Sequence, residues 1–97
     1  MYRVMQYRPP VADDLVRVKD QLAVGSRVLA SLVGIEQGKI RRYLGGPEAK
    51  QLSLANHFML AAQAVLPDDQ LALVFQAMRD HGAELDLAAV SAQAHAD

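Results

Sequence analysis

The sequence predicts an all-α fold: a compact bundle of about five short helices behind a short extended or β N-terminal arm. Two observations carry this. From Leu15 onward the apolar residues recur at spacings of three and four, and Gly or Pro stops interrupt the pattern at helix-length intervals. Only the first eight residues alternate, with Tyr2, Val4 and Gln6 on one side and Arg3, Met5 and Tyr7 on the other, before Pro9-Pro10 stiffens the backbone. The first helix is expected over VADDLVRVKDQL, with Asp13 or a neighbour as its cap, acids in its first turn, and Leu15, Val16, Val18 and Leu22 inward; it should end near Gly25. Ser26 is the N-cap candidate for residues 27–33, Gly34 stops that helix, and another runs over residues 36–44 until Gly45-Gly46-Pro47. Leu52 or Ser53 opens a longer helix to about Leu66, with Leu54, Phe58, Ala61, Ala62 and Val65 as its apolar stripe. Pro67-Asp68-Asp69 restarts the chain as a helix through Met78 to a stop at Gly82, and residues 87–94 form a last, weak, Ala-rich helix.

At 97 residues the chain is one domain. It divides into an arm (1–11), a helical core (12–66) and C-terminal helices (67–97) that form a possible dimerisation segment. The hydrophobic fraction of 52% with only 5% aromatics describes an aliphatic core. Zero cysteines remove disulfides, thiolate zinc sites and a thiol nucleophile, and fit a reducing compartment, so the cytoplasm is the expected location. The longest uncharged stretch, 51–67, is interrupted by Gln51, Asn56, His57 and Gln63, and the N-terminus has no apolar h-region, so neither a membrane span nor a signal peptide is expected. The net charge of −1 hides an asymmetry. Residues 1–50 carry nine Lys and Arg against five acids, giving +4, and residues 51–97 carry Arg79 against six acids, giving −5. A polyanion-facing half and a solvated or partner-facing half would explain the split, and so would ordinary solvated surface.

The densest signal is residues 26–44, SRVLASLVGIEQGKIRRYL. Two short helices crossing steeply need a small residue at the contact, supplied by Ala30, and a turn residue that tolerates positive φ, supplied by Gly34. Ile35 follows as an apolar anchor and Ile40, five further on, pins the second helix, with Leu29, Val33 and Tyr43 completing the wall. This arrangement resembles the helix-turn-helix of the lambda-repressor and Cro-like regulators, the XRE family, over about 20 residues, and the helix order agrees over roughly residues 12–66. The resemblance implies a DNA-binding domain, usually dimeric, acting on transcription. It puts the base-contacting places on Gln37, Gly38 and Arg42, with Glu36, Lys39 and Arg41 beside them. Three positions depart from it: Gly38 has no side chain, Glu36 carries the wrong sign for phosphate, and Arg27 replaces the usual Gln near the start of the first motif helix.

Helix geometry bears on the same face. At about 100° per residue, turning Ile40 inward brings Tyr43 and Leu44 within roughly 60° of it, points Gly38 and Arg42 away, and sets Lys39 and Arg41 on the flanks. A nine-residue helix, roughly 13 Å long, fits a major groove about 12 Å wide. Arg42 is then the candidate for reading a guanine edge, Lys39 and Arg41 meet phosphates, and Gly38 permits close backbone approach. The same residues also suit a solvated basic face. Glu36 either bonds a cytosine amino group or caps the helix, with capping favoured.

The remaining residues say less. Arg3, Tyr7 and Arg8 would serve a dimer strand, a core-packed arm or a DNA-gripping arm equally well. His57, His81 and His95 are isolated, so no metal or cofactor is expected, and the sequence shows no catalytic constellation. Leu71, Leu73, Val74, Met78, Leu85, Leu87 and Val90 give the acidic half more apolar positions than two short helices hide, for which dimerisation is preferred over closure of a monomeric core. The expected function is that of a homodimeric, sequence-specific binder of double-stranded DNA that regulates transcription. The alternative is the same fold as a protein-interaction module, an antitoxin or an assembly factor, with weak or no DNA contact.

Overall fold

In the computed structural model of the chain, residues 1–90 are described, and among them are five α-helices, one 3-10 turn and no strand. In chain order these are α1 (Ala12–Leu22), α2 (Ser26–Val33), the 3-10 turn (Gln37–Lys39), α3 (Arg41–Leu44), α4 (Leu54–Val65) and α5 (Asp68–Asp80). Residues 1–11 are neither helix nor strand.

α1 begins two residues earlier than a cap at Asp13 would allow. Val11 is the N-cap, and the Asp14 carboxylate reaches back to accept its N–H across 3.2 Å. Asp14 also accepts from Arg17, and that bond, more than any other cause, holds its carboxyl below the usual range. At the other end the expected roles of Gly25 and Ser26 shift. Ala23 takes the left-handed conformation (φ 56), Gly25 is the extended N-cap of α2, and Ser26 is already its first helical residue. The cause is Val24. Turning the chain at Ala23 lets the Val24 N–H reach the Lys19 carbonyl at 3.4 Å and drops the Val24 side chain into the core. A left-handed L-residue costs roughly 1 to 2 kcal/mol, which the burial of Val24 offsets.

The core is one cluster of Leu15, Val24, Leu29, Ala30, Val33, Ile40, Leu52 and Leu60, flanked by Val18, Leu22, Val28, Leu32, Ile35, Tyr43 and Leu44. α2 packs chiefly on α4, and α1 on α3. Among the described residues no polar or charged side chain is fully buried, so the side chains that fill the interior are apolar.

α4 opens at Ser53 as expected: the Ser53 hydroxyl accepts the Asn56 N–H across 3.1 Å. Its inward face, however, is not the predicted one. Leu60 is buried, with Asn56, His57 and Met59 partly covered, whereas Leu54, Phe58, Ala61 and Val65 face outward. The rotation follows from two contacts with α2: the Asn56 side-chain amide donates to the Val33 carbonyl across 2.7 Å, and Met59 lies against Gly34. α5 runs from the cap at Pro67, with Asp68 and Asp69 in its first turn, and buries Leu71. Gly82 at φ 99 follows it, where the stop was expected. The last predicted helix is absent from its described portion. Residues 87–90 are non-helical and line a groove with Leu71, Phe75, Leu22 and Leu32; residues 91–94 of that prediction lie outside the described residues. An isolated Ala-rich segment this short has too few hydrogen bonds to offset helix nucleation.

The arm is tied down at one point. The Tyr7 hydroxyl donates to the Leu52 carbonyl across 2.9 Å and lies 3.3 Å from Nδ1 of His57, with the two rings 5.9 Å apart and tilted by 53°. Burial pushes the Tyr7 phenol up from its ordinary value. Ahead of it Met1, Tyr2, Val4 and Met5 are exposed.

Candidate nucleic-acid interface

The segment 26–44 is built around one carbonyl. Gly34 takes the left-handed conformation (φ 77), so its own N–H and that of Ile35 both bond the Ala30 carbonyl, at 2.9 and 3.0 Å. A Cβ on Gly34 would stand 3.3 Å from the Met59 sulfur and 3.5 Å from Nδ2 of Asn56. The turn therefore needs glycine twice over, for backbone conformation and for the approach of α4. Leu29, Ala30 and Val33 are fully buried on the inner side of α2, as the spacing required.

The continuous helix expected over 36–44 is corrected. Glu36 is extended (ψ 137), Gln37–Lys39 is a 3-10 turn, and only Arg41–Leu44 is α-helical. Ile40 joins the two with φ −61 and ψ −35, so the path stays right-handed without a continuous ladder. Gly38 gives a helix little support here, and the bonds that form are of the tighter kind, Lys39 N–H to Glu36 O at 2.9 Å and Tyr43 N–H to Ile40 O at 3.0 Å.

The orientation derived from the anchor is present. Ile40 is only 1% exposed, Tyr43 and Leu44 pack on the core, and Glu36, Gln37, Gly38, Lys39, Arg41 and Arg42 are all exposed along the opposite side. Glu36 does not cap with its side chain. It pairs instead with Lys39 at 3.4 Å, and both groups are largely exposed, so the pair adds little stability and is easily exchanged. Arg27 is exposed in the first turn of α2. A Cβ on Gly38 would meet nothing within 4 Å, so no contact inside the chain requires glycine there.

Two contributors escaped the sequence reading. Lys50 donates its N–H to the Arg42 carbonyl across 2.8 Å, closing residues 42–50 into a loop, and Arg42, Gly45, Gly46, Pro47, Glu48 and Lys50 line one shallow depression. Its only signal was a cation just beyond the Gly-Gly stop. Asn56, which holds the Val33 carbonyl, is 23 positions away and gave none. No group of three metal-ligating side chains occurs among the described residues, and no described helix is long and apolar enough to cross a membrane. No family model, curated protein or solved structure matches this chain.

Proposed function

We propose that this protein is a sequence-specific, double-stranded DNA-binding regulator of transcription, acting in the cytoplasm, in which α2, the Gly34 turn and residues 37–44 work as a helix-turn-helix of the lambda-repressor and Cro-like type. The observation that carries the reading is the opposition across one short segment: Ile40 in the core, and Lys39, Arg41 and Arg42 on the exposed side. In this arrangement Gly38 lets backbone come close to the duplex, Arg42 reads a guanine edge, and Lys39, Arg41 and Lys50 meet phosphates, with Gln37 and Arg27 at the margins. Glu36 is the local counter-ion of Lys39 until phosphate replaces it. The role is binding, with no catalytic step and no cofactor.

Selection of bound fragments from a randomised duplex library tests this directly. A recovered consensus, with affinity that falls steeply as salt rises, is the expected result. Absence of any retarded complex at low salt would overturn it. A second reading, a protein-interaction module on the same scaffold, is favoured by the near-neutral net charge of −1 and predicts that absence.

A further inference from the structure

α4 is an amphipathic helix mounted with its apolar row outward. Leu54, Phe58, Ala61 and Val65 fall within an arc of about 60° at about 100° per residue, and Leu54, Phe58 and Val65 are 41%, 71% and 76% exposed. Residues 51–67 contain no Lys, Arg, Asp or Glu, so nothing charged rims the row along its own helix, and His57 turns away to meet Tyr7. Isolated exposed apolar side chains are ordinary; four in register on an uncharged helix mark an interface.

We propose that this face is where two copies of the chain pair, with α4 antiparallel to its mate about a two-fold axis at the helix centre. The row reads the same in both directions, with spacings of four, three and four. Inverting one copy sets Leu54 opposite Val65 of the second copy and Phe58 opposite its Ala61. Each large side chain meets a smaller one, the self-complementarity that an isologous contact demands. A second copy also brings no like charge to the seam. The exposed apolar residues of α5, Leu73, Val74 and Met78, share their helix with Asp68, Asp69, Arg79 and Asp80, so a two-fold contact there would carry charged groups into the seam. The pairing surface therefore lies on α4, the uncharged helix, in preference to α5.

Sedimentation equilibrium of the full chain over a wide concentration range should show a reversible monomer–dimer exchange. Phe58→Asp should weaken the dimer by more than about tenfold with an unchanged helical circular-dichroism spectrum, because Phe58 contributes exposed area and no core contact. Leu73→Asp should leave the dimer intact. Because the chain has no cysteine, a Leu54→Cys copy oxidised together with a Val65→Cys copy should give mostly the mixed disulfide. A chain that stays monomeric throughout, a dimer lost with Leu73→Asp and kept with Phe58→Asp, or Leu54→Cys homodisulfides outnumbering the mixed product would each overturn the proposal.

Discussion

The side-chain amide of Asn56 holds the carbonyl of Val33 at 2.7 Å, so the first turn of α4 clamps the end of α2 just where the chain turns toward its basic segment. Asn56 is itself oriented by Ser53, whose hydroxyl accepts its N–H and donates to its Oδ1 at 2.6 Å. Asn56→Ala removes the clamp and leaves a partly buried carbonyl without its donor. The expected cost is about 1 to 2 kcal/mol in urea denaturation, with weaker duplex binding at temperatures where the parent is fully folded.

The two glycines of the segment should behave oppositely. Gly34→Ala forces an L-residue to positive φ and presses a methyl toward Met59, costing about 1 to 2 kcal/mol or more in stability. Gly38→Ala meets open space in a helical backbone and should raise stability by about 0.5 to 1 kcal/mol. If Gly38 serves close approach to DNA, that more stable variant binds duplex less tightly than the parent. Equal or tighter binding would remove the role assigned to it.

The cations should separate by what they change. Arg42→Ala is expected to cost about 1 to 3 kcal/mol on the selected sequence and to relax preference at one position. Lys39→Ala and Lys50→Ala should weaken all sequences alike and flatten the salt dependence by about 0.9 each, as one fewer phosphate is neutralised. Anisotropy titrations at several salt concentrations, on selected and scrambled duplexes, read both effects.

Tyr7 offers a prediction in pH. Its phenol is pushed up by burial, so the folded state favours the protonated form that donates to Leu52. The stabilisation is complete below the unfolded-state value near 10 and is lost as pH rises through the higher folded value. Tyr7→Phe should cost about 0.5 to 1.5 kcal/mol at neutral pH. Its stability should then fall less than the parent's on titration into the alkaline range, as thermal denaturation across that range would show.

What the sequence made legible was local. The pattern of Ala30, Gly34, Ile35 and Ile40 placed the turn and the inner wall because each of those demands acts within a few residues along the chain. What escaped was decided across longer separations. α1 ends at Leu22, with Ala23 left-handed, ahead of the expected stop near Gly25, because Val24 has to reach the core. α4 presents Phe58 to solvent because Asn56 and Met59 meet α2, and no periodicity could choose between two plausible faces of an uncharged helix. Residues 36–44 divide because a glycine sits in a helix too short to absorb its cost. Lys50 joined the basic ridge only through a backbone bond to Arg42.

Leu52, Asn56 and His57 belong to the same short stretch, so the arm and the tail of α2 are fastened to a single stud. Loosening that stud on heating should free the two together, and whatever grips one end tightens the footing of the other.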